Sequence, residues 1–140
     1  MDVVRSMRRL RSSERARLGA LGVKIVYLFG SHAEGMASIA SDVDIGVVMT
    51  DPTTVVQNTN EIYLHLFELF SPYVECSDQL DIVFLQRAPL ELRYDVITHG
   101  LPIYSRSEAC RLDFEERTTI AYCDFQPLLR QFDRSIIENR

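Results

Sequence analysis

Residues 24–49, KIVYLFGSHAEGMASIASDVDIGVVM, read as a strand, a glycine turn, a loop and a second strand. Lys24–Phe29 is a short apolar, β-prone run of the kind that forms a buried strand. Gly30-Ser31 ends it abruptly, and Ala33 and Gly35 follow. Asp42–Met49 (DVDIGVVM) is the second strand. Strand side chains alternate between faces, so Asp42 and Asp44 project from one face, a few ångström apart. Their companions Val43, Ile45, Val47 and Val48 belong to a mostly buried strand.

Outward from this unit, the chain alternates helices and strands. Residues 3–20 predict an amphipathic helix with Val3, Met7, Leu10, Glu14 and Leu18 along one stripe, punctuated by Gly19 and Gly22. Asp51-Pro52-Thr53 is a turn, and Thr53 or Thr54 is placed to cap a helix carrying Val56, Thr59, Ile62, Tyr63, Leu66, Phe67 and Phe70. The aromatic members of that stripe read as core. Ser71-Pro72 stops the helix, and Leu80–Leu85 (LDIVFL) is a third strand. Pro89 opens a helix with Leu90, Tyr94 and Ile97 on one face and Gly100 as C-cap. Leu101–Ser105 is a short edge strand, because Pro102 cannot donate to a ladder. From Glu108 the chain is helical, with Phe114, Ala121, Phe125, Leu128, Phe132 and Ile136 in register. Pro127 either kinks one long helix or starts a second one capped by Asp124. The alternation predicts an α/β or α+β fold, a small mixed sheet flanked by helices.

The length of 140 residues suits one domain spanning 1–140, with a helical C-terminal portion from about residue 107. No apolar run is long enough to cross a bilayer, and the basic, polar N-terminus carries no apolar signal core. A cytoplasmic protein without membrane association is therefore expected. Cys76, Cys110 and Cys123 form neither a CxxC pair nor a Cys/His ligand spacing, which predicts reduced thiols.

The net charge of −5 is unevenly spread. Residues 1–24 hold seven basic side chains against two acidic ones, a balance of +5, so the remainder carries −10. Such a segment can meet a phosphate-rich ligand or an acidic partner, or be only a solvated helix face. The acidic total argues against broad, sequence-independent DNA binding.

Three features carry chemistry. Gly30-Ser31 after a strand allows a sharp turn and a close backbone approach to a ligand, and a turn that leads into a helix N-terminus offers N–H groups to phosphate. The same dipeptide is also a common turn. Asp42 and Asp44 on one face repel each other, a conflict that Mg²⁺ resolves with oxygen ligands and substrate phosphates. A polar strand start, with Asp42 capping a turn, is the simpler alternative. Asp81 is an acid within an apolar strand, either a third ligand or a strand-end group facing solvent or an arginine. If the third strand lies beside the second, Asp81 completes a three-carboxylate cluster. Such a cluster fits phosphoryl-type transfer, in which two metals about 3.5–4 Å apart steady the attacking and leaving oxygens. His32 reads as solvent-facing, and His65 and His99 lack a metal spacing. Tyr94 and Tyr104 read equally well as packing residues.

From Gly30 to Asp44 (GSHAEGMASIASDVD) the chain resembles the DNA polymerase beta-like nucleotidyltransferase superfamily: Gly-Ser, a ten-residue spacer, then Asp-x-Asp. Ala33, Gly35 and Ser41 match the fuller pattern of its minimal nucleotidyltransferase branch, and Asp81 matches the third acid. Size and the region from Pro89 onward are similar to the MNT-type antitoxins of HEPN/MNT toxin–antitoxin pairs. The resemblance implies that Asp42, Asp44 and Asp81 are catalytic and hold Mg²⁺ in a two-metal site, with Asp81 also the general base. It implies that Gly30 and Ser31 hold the triphosphate of ATP. One residue departs from the pattern: many relatives carry Arg where this chain has Glu34, and an acid there does not help hold triphosphate unless it points away.

The resemblance also implies a function. An antitoxin of this type transfers AMP from ATP to a tyrosine hydroxyl of its cognate HEPN ribonuclease and so neutralises it. The protein would then form a hetero-oligomer with the toxin, or a homo-oligomer. Two alternatives stand beside this: a small-molecule nucleotidyltransferase of the aminoglycoside-modifying kind, and a non-catalytic binding antitoxin.

Overall fold

The computed structural model describes residues 2–37 and 41–138, leaving aside the side chains of residues 54, 55 and 129–138. Strand β1 (Val23–Phe29) runs antiparallel to β2 (Val43–Met49), and β2 runs parallel to β3 (Leu80–Phe84). Strand β4 (Leu101–Ser105) adds antiparallel to the other side of β1, giving the order β3-β2-β1-β4. The sheet is mixed, as expected. Pro102 sits on the edge strand, where a missing N–H is tolerated.

Helices cover both faces of the sheet. Alternation sends Val26, Leu28, Val43, Ile45, Ile82 and their neighbours to one face. There they pack against α1 (Val3–Met7), α2 (Ser12–Ala20) and α4 (Thr59–Phe70), through Met7, Leu18, Leu66 and Phe70. Ile25, Tyr27 and Val48 point to the other face, against α5 (Leu90–His99) and α6 (Glu108–Glu138), through Val96 and Phe114. Buried Tyr27 donates to Glu115 Oε2 at 3.3 Å, and Arg111 Nη1 holds the same oxygen at 2.8 Å. Burial, with the Glu115 carboxylate beside it, pushes the Tyr27 phenol far above its ordinary range.

The helix read over residues 3–20 is two helices. Asp2 caps the first, its Oδ1 accepting from Arg5 N at 3.3 Å, and Glu14 Oε1 accepts from Arg11 N at 3.0 Å to start the second. Met7, Leu10 and Leu18 are buried as the stripe predicts. Glu14 is not a passive member of it, since its Oε1 also accepts from Tyr73 Oη at 2.6 Å. The helix expected after Asp51 is likewise divided, into α3 (Pro52–Gln57) and α4, with Asn58 at the break. Asn competes for backbone hydrogen bonds and favours such junctions. The capping role falls to Asp51, whose Oδ1 accepts from Thr53 N (3.0 Å) and Thr53 Oγ1 (2.8 Å), and not to Thr53. Val56 is exposed, so the buried stripe of this region belongs to α4 alone.

Tyr63 stacks on Phe67 with ring centroids 6.2 Å apart, and Phe70 is fully buried, all three packing residues. Gly100 closes α5, its N–H donating to Val96 O at 2.7 Å. The question at Pro127 is resolved in favour of one helix: α6 continues through it, losing a single backbone bond.

Gly46 shows how tightly the second face is packed. A Cβ there would lie 3.0–3.1 Å from the side-chain carbons of Leu85, which is fully buried. Gly46→Ala is expected to destabilise the protein by about 1–2 kcal/mol through overpacking, measured by urea unfolding. Leu85→Val in the same chain should recover part of that loss.

Candidate active site

The acids assemble where β1, β2 and β3 present one row. Asp44 is the register partner of Phe29 on β1 and of Asp81 on β3. Because Val43 and Ile45 are buried on the first face, Asp44 must emerge on the second, and the parallel register brings Asp81 out beside it. Neighbouring strands lie about 4.8 Å apart, so the two carboxylates are close. Asp42 immediately precedes β2 and is exposed, as is Asp81, while Asp44 is half-buried. The α3–α4 crossover between β2 and β3 makes this parallel pairing possible.

The electrostatics record the crowding. Burial, and then the charges of Asp81 and Asp42, push the Asp44 carboxyl up to about 6, partly offset by nearby His32. Carboxylates held this close favour a proton or a cation between them. Among the described residues, no three His, Cys, Asp or Glu side chains are grouped tightly enough to hold a metal ion as they stand. Asp42 and Asp81 are exposed and can rotate toward Asp44, and an all-oxygen set of this kind suits Mg²⁺.

Gly30 makes the sharp turn and also lies directly against one of the acids. Its φ is +77°, a backbone region that favours glycine, and a Cβ there would collide with Asp44 Oδ2. The chain thus folds over Asp44 itself, bringing the start of the loop and the acid into contact. After Gly30, residues 31–35 form a series of turns. Gly30 O accepts from Glu34 N (3.2 Å) and Ser31 O from Met36 N (2.9 Å). Those N–H groups are used inside the turns, which leaves the amides of Ser31, His32 and Ala33 as candidates to face phosphate. Glu34 is exposed.

His32 departs from its solvent-facing reading. It is half-buried, and its Nε2 donates to the Ser41 carbonyl at 3.3 Å, tying the two ends of the loop together. No sequence signal marks this contact, because it spans the loop. A cleft of about 380 Å³ beside the loop opens at Val43, on the other face of β2, and shares only His32, Gly35, Ala37 and Ser41 with the loop region.

A row of acids on adjacent strands with a glycine turn folded onto it can hold hard cations against phosphate oxygens. Residues 19–109, well over half of the chain, match the family described as polymerase beta, nucleotidyltransferase. This chain belongs to that family. No curated protein sequence matches it. Among solved structures, it is similar to a chain of a toxin–antitoxin complex with AMP-PNP: 23% identity, 91% of this chain and 99% of that one covered, TM-score 0.67. It is also similar to a chain of a mutant MntA–HpeT toxin–antitoxin complex (21% identity, 87% and 94% covered, TM-score 0.67). A third is a chain of a complex between a tri-AMPylated HEPN toxin of Shewanella oneidensis and an MNT antitoxin (20% identity, 91% and 99% covered, TM-score 0.60). These likenesses show a shared fold over nearly the whole length of each chain.

Proposed function

We propose that this chain is a metal-dependent adenylyltransferase antitoxin that transfers AMP from ATP to a tyrosine hydroxyl of a cognate HEPN ribonuclease and thereby neutralises it. The observation that carries this reading is the pairing of Asp44 with Asp81 under Gly30. The fold shared with chains of toxin–antitoxin complexes, one of them with AMP-PNP and one with an AMPylated HEPN toxin, supports ATP as the nucleotide and a HEPN toxin as the acceptor.

In this reading Asp42, Asp44 and Asp81 would hold Mg²⁺, which would supply charge neutralisation for the phosphates. Gly30 and Ser31, with the amides that follow, hold the triphosphate. Asp81, the more exposed of the paired acids, takes the proton of the acceptor hydroxyl. The acceptor oxygen bonds to the α-phosphorus, the bond from that phosphorus to the bridging oxygen breaks, and pyrophosphate leaves. Residues 1–140 act as one minimal nucleotidyltransferase domain with α6 as its helical C-terminal part. The work is done in the cytoplasm, and no helix among the described residues is long and apolar enough to cross a membrane.

The test mixes the protein with the proposed HEPN partner, Mg²⁺ and ATP labelled at the α-phosphate. Label should appear on a tyrosine of the partner and be absent with Asp42→Asn or Asp81→Asn. Label on an aminoglycoside instead would point to a small-molecule enzyme. Full neutralisation by an Asp81→Ala variant would point to binding alone.

A further inference from the structure

The basic N-terminal segment is not used by the site described above. Arg5, Arg8 and Arg9 are exposed and, with Asp2 and Val4, line a shallow concavity of about 500 Å³ around α1. Among the described residues none of the three forms an ion pair, whereas Arg17 of α2 is held by Glu68 at 2.9 Å. Asp2 and Val4 also line the 380 Å³ cleft that runs to His32 and Gly35 of the glycine loop. The two concavities therefore meet on α1, and the arginines stand at the far end of a path that leads to the loop.

We propose that Arg5, Arg8 and Arg9 dock an acidic segment of the protein that receives the nucleotide. This rests on the protein-modifying reading above. Three unpaired guanidinium forks match carboxylates bidentately. A single exposed ion pair contributes little, so a useful partner presents several carboxylates on one chain. The remainder of this molecule carries −10, a field that repels a long polyanion such as RNA and leaves only the local basic surface attractive. A discrete acidic stretch on a folded partner satisfies both conditions, and it would lie along the path toward the loop.

The probe is a fluorescent oligoglutamate peptide, titrated into the full chain by anisotropy. A short single-stranded RNA and inorganic tripolyphosphate are compared with it. The peptide should bind, more weakly as salt rises. The triple variant R5A/R8A/R9A should bind it about tenfold more weakly or worse, while thermal melting shows an intact fold. The lysine triple R5K/R8K/R9K should fall between, because it keeps charge and loses the fork. Absence of peptide binding, equal binding by the alanine triple, or preference for RNA or tripolyphosphate overturns the proposal. Asp44→Asn should bind the peptide as the wild type does. If no protein is ever labelled while arginine-dependent peptide binding persists, the transfer reading fails and the docking surface stands.

Discussion

Replacing Asp44 by Asn is expected to abolish nucleotidyl transfer and, in the absence of metal, to make the protein more stable at neutral pH. The loss of transfer should be on the order of a thousandfold or more, because Asn cannot supply the negative oxygen that a hard cation and a triphosphate site require. The gain in stability follows from the same charge. The folded state raises the Asp44 carboxyl from 3.8 to about 6, so folding favours the protonated form. That contribution is fully present below the unfolded value and is lost as pH rises through about 6. Above this window the wild type carries an ionised Asp44 against Asp81 and Asp42, and the Asn variant does not. Asp44 is partly open to solvent, so the penalty is discounted to about 1–2 kcal/mol. In a chelator, the variant should melt roughly 3–6 °C higher than wild type near pH 8, with the difference vanishing near pH 4. Mg²⁺ should raise the wild-type melting temperature and leave the variant unchanged, by binding only the native acid cluster. An Asn variant that melts lower than wild type at pH 8 would refute the crowding argument, whatever its activity. An active site that trades stability for function in this way is common.

Gly30→Ala should be damaging to fold and site together. The backbone at φ +77° penalises any side chain, and the new Cβ would collide with Asp44 Oδ2. The combined cost is about 2–3 kcal/mol, measured by urea unfolding. Transfer should be lost as well, since Asp44 can escape only by rotating out of the row it shares with Asp81. A double-mutant cycle separates the two causes. In an Asp44→Ala background the collision disappears, and the cost of Gly30→Ala should fall to the backbone strain alone, about 1 kcal/mol. Equal costs in both backgrounds would mean that Gly30 serves the turn and not the acid.

Much of the fold was legible from local pattern. All four strands lie where the pattern places them, because each is a short apolar, β-prone run. The helices were located but not their breaks. Met7, Leu10 and Leu18 keep one stripe across the gap between α1 and α2, so periodicity alone runs straight through it. The first break is shown by Glu14, whose side chain turns back to the backbone of Arg11, and the second falls at Asn58, which carries no side-chain cap. Pro127 was ambiguous for the opposite reason. A proline can end a helix or be carried by it, and α6 carries it.

The acids and the glycine of the site were visible by residue type and spacing, since Gly-Ser and Asp-x-Asp lie on one strand–loop–strand unit. Their alternation decides which side chains share a face before any packing is known. The tertiary structure alone decided that β3 lies beside β2, in parallel and in the register that opposes Asp81 to Asp44. That pairing is held by burial on both faces of the sheet, through side chains distant in the chain, and no local pattern encodes it. It also decided that Gly30 folds onto Asp44, and that His32 ties the loop through Ser41 instead of facing water. The sequence by itself thus determined which groups are available. The register of strands far apart in the chain determined which of them meet, and the raised Asp44 carboxyl is the physical consequence of that meeting.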